Sequence, residues 1–268
     1  MKNKEKIGFI GGGNMAEAIL KGILVANVSP QEVLVAEPLD ARRDYLSATY
    51  GVTVTADNHQ VVADSDIIVL AIKPQMAAAV VGAFADQFTA DKLLISILAG
   101  TSTAKLEALL NVAAKVVRVM PNTPALIGCG AAALCSGQYA GGAELETARK
   151  IFAAVGSVVT VKESQMDAVT AVSGSGPAYV FTVIEALVAG GVAEGLDRET
   201  ALALAVRTVE GAARLVAESG EEPAELRRKV CSPGGTTLAA IEKLDAGGFG
   251  DLLVAAVRRA AERSRELG

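Results

Sequence analysis

The chain has 268 residues, of which 51% are hydrophobic and 21% are charged, and this apolar content excludes disorder over most of its length. The formal net charge is −5, aromatic residues make up only 4% and Trp is absent, so the chain offers neither the basic face nor the stacking side chains that nucleic acids require. We therefore expect a globular protein of one large or two moderate domains that does not bind nucleic acid.

The first half of the chain alternates short β-rich runs with stretches long enough for crossover helices. Strands are predicted at residues 6–10, 33–36, 51–54, 66–72, 93–98, 116–120, 131–135 and 157–161, and helices between them at 40–50, 75–85 and 103–110. The runs IIVLAI and LLISIL are apolar without interruption, which is typical of strands covered on both faces. This order predicts an α/β fold with a doubly wound parallel sheet.

The pattern changes near Ser164, where strand signals stop. Helices are predicted at residues 178–194, 198–218, 223–230, 236–245 and 250–266. We expect two domains, a nucleotide-binding domain at residues 1–163 and an all-helical domain at 164–268. The helical domain is thin and several of its helices are apolar over most of their circumference, so we expect burial against a second copy in a homodimer or larger homo-oligomer.

Neither a membrane segment nor a secretory signal is predicted. The longest uncharged run, between Arg118 and Glu144, contains prolines and glycines, and the N-terminal MKNKEK precedes only a short apolar run. We expect a cytoplasmic protein. The three cysteines, Cys129, Cys135 and Cys231, form no CxxC pair and predict neither a disulfide framework nor a metal site.

The strongest local motif is KIGFIGGGNMAEAI, a short strand that leads through glycines into a helix. The pattern G-x-G-x-x-G/A falls on Gly11, Gly13 and Ala16. Gly11 permits the tight turn, Gly13 lets the backbone approach a pyrophosphate, and Ala16 is small enough for helix–strand packing. The motif predicts a dinucleotide site of the Rossmann type, formed by Gly11, Gly12, Gly13, Asn14, Met15 and Ala16.

Two features bear on which dinucleotide binds there. Glu37 ends the second predicted strand about 20 residues after Ala16, where a carboxylate accepts hydrogen bonds from the ribose hydroxyls of NAD. Arg42 and Arg43 follow, and either could pair with the 2′-phosphate of NADP or lie on a solvated helix face. The sequence therefore leaves open whether the cofactor is NADPH or NADH.

Polar residues follow two other central strands, at the edge where open α/β sheets bind ligands. Lys73 follows the fourth strand and is either a cofactor contact or a lysine that points to water. In the MPNTP segment two prolines order the loop around Asn122 and Thr123, which are candidates to line the nicotinamide pocket.

Groups suited to acid–base catalysis are scarce. His59 is the only histidine and is predicted at the surface, and no lysine occurs from Glu163 through Arg228. Alcohol dehydrogenases commonly need such a base. A protonated imine does not, because its nitrogen already carries the proton. The sequence therefore favours imine reduction.

Two glycine-rich segments in the helical half are predicted to open helices. They are SGSGP, at residues 173–177, and SPGGTT, at residues 232–237. Helix N-termini with Ser or Thr hydroxyls can bind a carboxylate without arginine, although the same residues also serve as ordinary caps.

Six segments together resemble the pyrroline-5-carboxylate reductase family, in family order over nearly the whole chain: GFIGGGNMAEAI, DIIVLAIKPQ, RVMPNTPA, DAVTAVSGSGPAYVF, PAELRRKVCSPGGTTLAAI and the final helix. The resemblance implies a Rossmann domain followed by a helical domain interleaved with that of a partner. It also implies reduction of 1-pyrroline-5-carboxylate to L-proline with NADPH or NADH, the last step of proline synthesis.

The resemblance further assigns residues to the site. Cofactor contacts fall on the fingerprint residues and on Asn58, Ala71, Ile72, Lys73 and Pro74. Substrate contacts fall on Ser173, Gly174, Ser175 and Gly176 and, from a partner chain, on Gly235, Thr236 and Thr237. The family's Thr hydroxyl near the ring nitrogen makes Thr237 the candidate catalytic residue. Glu37 departs from the small polar residue of NADPH-preferring members.

The sequence disfavours two other functions. A 3-hydroxyacid dehydrogenase would need a lysine in the first helix of the second domain, and that lysine is absent. A non-catalytic NAD sensor would have no use for SGSGPAY and SPGGTT together. No motif in the sequence predicts the subunit number, the kinetic constants or feedback inhibition by proline.

Overall fold

A computed structural model describes residues 5–267 of the chain. Within that range eight strands form one sheet, in the order β3-β2-β1-β4-β5-β6-β7-β8. The strands are β1 Ile7–Ile10, β2 Val33–Ala36, β3 Thr53–Thr55, β4 Ile67–Leu70, β5 Leu93–Ser96, β6 Lys115–Met120, β7 Gly130–Ser136 and β8 Gly156–Thr160. Each of the eight predicted strands is confirmed, with ends shifted by a few residues.

The sheet is parallel except between β6 and β7, which pair antiparallel. The predicted doubly wound sheet is confirmed, and the β6–β7 pair departs from the parallel pairing that the alternation of strands and helices indicated. A parallel connection needs a crossover of a dozen or more residues, whereas only residues 121–129 separate the two strands. The strand order reverses between β1 and β4, which places the ligand crevice of an open α/β sheet at the carboxyl ends of these two strands.

Helices cover both faces of the sheet, as the doubly wound prediction requires. They are α1 Asn14–Val25, α2 Asp40–Tyr50, α3 Asn58–Asp64, α4 Ala77–Phe84, α5 Thr103–Leu109 and α6 Gly142–Ala153. Helices α1, α2 and α6 bury residues in one apolar cluster and α3, α4 and α5 in the other. Strand residues alternate between the two clusters because successive side chains point to opposite faces.

The remaining helices follow β8. They are α7 Met166–Val169, α8 Gly176–Ala193, α9 Arg198–Ser219, α10 Pro223–Val230, α11 Thr236–Ala246 and α12 Phe249–Leu267. One compact unit runs through Ser175 and includes the end of α12 from Arg259, and the other is Gly176–Arg258. Residues 164–175 are largely helical but belong to the first unit, where Met166 packs on β7. The predicted division into 1–163 and 164–268 stays a prediction.

The second unit buries little within a single chain. Its buried apolar cluster consists of Val188, Ala201 and Ala205. Large apolar side chains on α8 and α9 are exposed: Val180, Phe181, Leu187, Val192, Leu202, Leu204, Val206 and Leu215. Exposed apolar area on this scale marks a surface that another molecule covers.

One helical stretch, Glu163–Ala193, is long and apolar enough to cross a membrane by length and composition alone. No membrane segment was predicted there from the sequence, because acidic residues interrupt the stretch. Only 6% of the most apolar 18-residue segment of this stretch is buried within one chain. A helix that packs between subunits has the same length and composition.

A buried ion pair links β6 to the segment after β8. The Arg118 side chain, 5% exposed, donates through Nη1 to Glu163 Oε1 at 2.6 Å. The other carboxylate oxygen, Oε2, accepts from the Thr103 hydroxyl at 2.8 Å and the Cys135 thiol at 3.2 Å. Burial opposes ionisation of Glu163, but the bonds from Arg118, Thr103 and Cys135 outweigh it and hold the pKa below its usual value.

Replacing Glu163 by Gln should lower the free energy of unfolding by about 3 kcal/mol, because it leaves the buried Arg118 charge uncompensated. Glu163 has a lowered folded pKa, so its stabilisation is present above the ordinary carboxyl pKa and is lost as pH falls through the folded value. Urea denaturation from pH 7 to pH 3 should therefore show a smaller acid-dependent loss in the variant.

Glu146→Gln is the matched control, because Glu146 is exposed and lies 3.8 Å from Arg149 on the same helix. It should change stability by less than about 0.5 kcal/mol. Equal effects of the two substitutions would show that burial of the Arg118–Glu163 pair is not important for stability.

Candidate active site

The fingerprint turn lies at the carboxyl end of β1, beside β4. Gly11 has φ +97°, and its N–H donates to the carbonyl oxygen of Ala36 on β2 at 2.8 Å. A Cβ at this position would lie 2.5 Å from the carbonyl oxygen of Ala71. The sequence required glycine here for a tight turn, and both the backbone angle and the close approach to Ala71 confirm that requirement.

Helix α1 begins immediately after this turn with its first amide groups available. Gly13 is its N-cap and has no side chain to cap it, and the first helical bond runs from Glu17 N–H to Gly13 O. The N–H groups of Asn14, Met15 and Ala16 therefore have no partner within the helix. A Cβ on Gly13 would meet nothing within 4 Å, whereas Ala16 is buried. The open, uncapped end is a ready anion site.

Glu37 lies directly against the glycine loop. It is 9% exposed, and its Oε2 accepts from Gly12 N–H at 2.9 Å while Oε1 accepts from Leu39 N–H at 3.1 Å. Its carboxylate is therefore oriented by two backbone amides at the end of β2. This is the position from which an acidic side chain reaches the adenosine ribose in dinucleotide-binding sheets.

The two arginines that follow Glu37 are both bound to other groups of the protein. Arg42 donates to Gly12 O at 2.6 Å and to Glu17 at 2.5 Å. Arg43 donates to the carbonyl oxygens of Glu37 and Pro38, at 2.6 and 2.9 Å. Neither arginine lies on a solvated helix face, the alternative that the sequence had left open.

The other predicted cofactor residues follow two further strands of the sheet, β3 and β4. Ala71 donates from its N–H to Ile10 O at 2.8 Å, which holds the end of β4 beside β1. Ala71 and Ile72 are half-buried, while Lys73 and Pro74 are exposed. Asn58 is half-buried in the first turn of α3.

His59 follows Asn58 and is exposed, as predicted, with its Nδ1 3.1 Å from Gln87 Oε1. It therefore lies at the surface beside a neutral amide rather than at the end of a central strand.

Asn122 connects the MPNTP loop to the SGSGP segment. Its Oδ1 accepts from Ala131 N–H at 2.9 Å, and its Nδ2 lies 3.3 Å from both the carbonyl oxygen and the hydroxyl of Ser173. Pro177 has no N–H to donate to the carbonyl four residues earlier, which is that of Ser173. The Asn122 amide thus supplies a donor that the helix cannot.

The SGSGP segment is not the open turn that the sequence predicted. Residues Thr170–Gly174 form a π-helical turn, closed by a bond from Ser175 N–H to Thr170 O at 2.8 Å, and Ser175, with φ −84° and ψ −21°, leads directly into α8 at Gly176. The segment therefore offers no free helix N-terminus. Helical residues precede it, so the glycines and Pro177 widen a helix instead of starting one.

The SPGGTT segment does form a turn into a helix, as predicted. Gly235 N–H donates to Ser232 O at 2.9 Å, and Gly234 has φ +70°, which with Pro233 is the pattern of a type II turn. Gly235 is the N-cap of α11, without a side-chain cap. Within residues 5–267 the hydroxyls of Thr236 and Thr237 have no hydrogen-bond partner. Ordinary capping by these threonines is therefore not observed.

The structure brings some of the predicted residues together in one compact unit. That unit contains the fingerprint, Glu37, Asn58, residues 71–74, Asn122 and residues 173–175. Gly176 and residues 235–237 belong to the other unit. An apolar groove of about 360 Å³ over β7 and β8 reaches the predicted site only at Ser173.

Comparisons with known proteins identify the family. The family model described as Pyrroline-5-carboxylate reductase dimerisation matches residues 163–267, and the model described as NADP oxidoreductase coenzyme F420-dependent matches residues 6–100. The pyrroline-5-carboxylate reductase of Synechocystis sp. is 47% identical, over 98% of this chain and 98% of its own length. This chain belongs to the pyrroline-5-carboxylate reductase family.

Other relatives agree with this assignment. The pyrroline-5-carboxylate reductase of Methanosarcina acetivorans is 44% identical over 98% of both chains. The solved structure of the Coxiella burnetii pyrroline-5-carboxylate reductase superposes with a TM-score of 0.93 at 38% identity, covering 99% of each chain. The Plasmodium falciparum pyrroline carboxylate reductase, solved with NADP bound, gives a TM-score of 0.89 at 34% identity over 100% of this chain and 99% of its own. The resemblance and the fold class predicted from the sequence are confirmed.

Gly13→Val should weaken NADP⁺ or NAD⁺ binding about tenfold or more, because the new side chain occupies the open space in front of the α1 amide groups. Its φ of −69° suits any residue, so the unfolding free energy should change by less than about 1 kcal/mol. Isothermal calorimetry and urea denaturation measure the two quantities.

Gly11→Val provides the contrast, since it combines a positive φ with a clash against Ala71 O. It should lower stability by about 2 kcal/mol or more. Wild-type nucleotide affinity in a folded Gly13→Val protein would exclude the assigned phosphate site.

Proposed function

We propose that this protein reduces 1-pyrroline-5-carboxylate to L-proline with NADPH or NADH, the last step of proline biosynthesis. The observation that carries the proposal is a pair of helices, α1 and α11, that each begin at an uncapped glycine. One such N-terminus suits the pyrophosphate of a dinucleotide and the other suits the carboxylate of a small acid. Full-length similarity to named pyrroline-5-carboxylate reductases supports the same reaction.

The residues of the crevice fit a nicotinamide dinucleotide. Gly13 leaves open space before three amide groups, and Glu37 is a buried carboxylate beside the same loop. These amides would hold the pyrophosphate and Glu37 the adenosine ribose, with Asn58 and residues 71–74 along the crevice. When bound, NADPH or NADH supplies the hydride for the carbon of the C=N bond.

Substrate recognition rests on the start of α11. The N–H groups of Thr236, Thr237 and Leu238 have no partner within the helix, so they can bind the substrate carboxylate. The Thr237 hydroxyl, without a partner in the described chain, would accept a hydrogen bond from the N–H of the protonated ring nitrogen and orient the C=N face. The resemblance implies that this helix start comes from a partner chain and that residues 173–176 also contact the substrate.

The protein supplies alignment rather than proton transfer. The iminium nitrogen enters with its proton, the ring carbon accepts the hydride, and the product amine forms without a proton from a side chain. His59 is exposed beside Gln87 and has no place in this step. Alignment and exclusion of water are the contributions that such a reaction needs.

We also propose that the active form is a homodimer or a larger homo-oligomer in the cytoplasm. The exposed apolar side chains of α8 and α9 and the match to the dimerisation family support association of two chains. The three cysteines are free thiols, which suits a reducing compartment. Burial and the neighbouring Glu163 charge raise the pKa of the Cys135 thiol to about 12, which leaves it inert.

The reaction is tested by following the absorbance of NADPH or NADH with the pyrroline as substrate. Oxidation that depends on the pyrroline, with little turnover of 3-hydroxyacids, is the expected result. Strong hydroxyacid oxidation without imine reduction would overturn the proposal. Sedimentation of the same sample should show no active monomer.

Asn122→Asp should raise KM for the imine about tenfold and leave cofactor affinity unchanged. The carboxylate retains the acceptor for Ala131 N–H but loses the donor to Ser173, so this predicted substrate contact shifts. Steady-state kinetics and calorimetry with NADP⁺ separate the two quantities. A weaker cofactor affinity at unchanged imine KM would favour the direct cofactor contact that the sequence predicted for Asn122.

Thr237→Ala should lower kcat/KM for the imine by roughly 10- to 100-fold, since a positioning hydrogen bond contributes about 1–3 kcal/mol. Thr237→Ser should retain most activity because the hydroxyl remains. If Thr237→Ala reduced the imine at the wild-type rate, the Thr237 hydroxyl would have no role in the reaction, and the SPGGTT turn would serve only to begin α11. Complete loss of turnover in a folded variant would place Thr237 in the proton path, because an obligatory general acid is typically worth about 10²- to 10⁴-fold.

A further inference from the structure

Two opposite charges flank the Gly12 peptide of the fingerprint loop. Its N–H donates to Glu37 Oε2 at 2.9 Å, and its carbonyl oxygen accepts from Arg42 Nε at 2.6 Å. The carboxylate and the guanidinium are thus bound to the same residue. A phosphate attached to the ribose that Glu37 faces would therefore lie within reach of the Arg42 side chain.

Glu17, in the first turn of α1, holds Arg42 in this position. Its Oε2 accepts from Arg42 Nη2 at 2.5 Å, and its Oε1 accepts from Tyr45 OH at 2.8 Å and Tyr50 OH at 2.6 Å. The Arg42 guanidinium also lies over the Tyr45 ring, 5.1 Å from its centre. The ion pair is mostly buried, since Arg42 and Glu17 are 23% and 18% exposed.

The charge on Glu17 is stable at neutral pH. Burial opposes ionisation, but hydrogen bonds from Tyr50, Arg42 and Tyr45 outweigh it and keep the pKa below its usual value. Burial and the bond to Glu17 raise the pKa of the Tyr50 hydroxyl, so it remains a donor. Arg42 is consequently bound by an ionised carboxylate and a carbonyl whenever the enzyme works near pH 7.

We propose that Glu17 is a specificity-determining residue, which restrains Arg42 from a 2′-phosphate and thereby favours NADH over NADPH. This inference rests on the proposed cofactor site. A 2′-phosphate that takes the Nε–Nη2 edge of Arg42 must displace its bonds to Gly12 O and Glu17, so part of the phosphate's binding energy is offset. Glu37 disfavours the phosphate directly by charge, whereas Glu17 acts through the position of Arg42.

Arg43 does not replace Arg42 in this role. Its Nη1 donates to the carbonyl oxygens of Glu37 and Pro38, and its Nη2 pairs with Asp40. These bonds direct the guanidinium toward the backbone of the β2–α2 corner rather than toward the Gly12 loop.

The test is the ratio of NADP⁺ to NAD⁺ affinity, measured by calorimetry without turnover. Glu17→Gln keeps the size of the side chain and an acceptor for the tyrosines but removes the charge. The ratio should rise about tenfold, the value of one charge-assisted hydrogen bond. The ratio of NADP⁺ to NAD⁺ affinity should also rise in the Glu37→Ser background, where the Glu37 carboxylate no longer repels the 2′-phosphate. Steady-state KM values for NADPH and NADH should move in the same direction.

Two comparisons isolate the role of Arg42. In an Arg42→Gln background, Glu17→Gln should leave the ratio unchanged. Glu146→Gln removes one negative charge from α6, where Glu146 pairs with Arg149, and should also leave the ratio unchanged.

An unchanged ratio in both the wild-type and the Glu37→Ser backgrounds would overturn the proposal. A rise that persists without Arg42 would also overturn it, because the effect would then be general electrostatics. Failure of wild type to bind either nucleotide would instead refute the proposed cofactor site, which keeps the two failures distinct.

Discussion

Backbone amide groups at the start of a helix need acceptors, and α1 and α11 begin without a side-chain acceptor. Both α1 and α11 have glycine at the N-cap, so no side-chain oxygen satisfies their first N–H groups. The helix dipole adds a partial positive charge at the same point. Neutral backbone can thus bind a pyrophosphate and a carboxylate, and the proposed site needs no arginine for either anion.

The glycine loop in front of α1 also organises the charges around it. Gly11 must be glycine because β1 and β4 approach closely at Ala71 O, and this approach defines the crevice. The next peptide, that of Gly12, then joins a carboxylate to a guanidinium through its two polar ends. A backbone constraint at one residue in this way decides where the groups that are proposed to discriminate between NADH and NADPH lie.

The exposed apolar surface of the helical unit suits a second chain, and the proposed substrate site would depend on one as well. A buried cluster of only Val188, Ala201 and Ala205 is small for helices as long as α8 and α9, and their exposed apolar side chains call for a partner surface. Residues 235–237 lie in that unit, apart from the fingerprint. An imine reduction that needs alignment more than proton transfer is compatible with a site completed by association, because rigid backbone rather than a tuned side chain does the positioning.

Local patterns in the sequence determined most of the elements and the nucleotide fingerprint. Apolar periodicity predicted every strand from β1 to β8, and the bounds of α2 and α10, because these signals depend on neighbours along the chain. The spacing of Gly11, Gly13 and Ala16 likewise identified the turn before α1.

Tertiary structure alone decided the features that depend on distant residues. The short β6–β7 connection makes that pair antiparallel, and residues before SGSGP continue into it as a helix, so the predicted turn is a π-helical segment. The Asn122 amide donates to the carbonyl oxygen of Ser173, and Arg42 pairs with Glu17, which lies 25 residues earlier in the chain. No pattern of neighbouring residues encodes such pairs, because they form only when the sheet brings separate elements together.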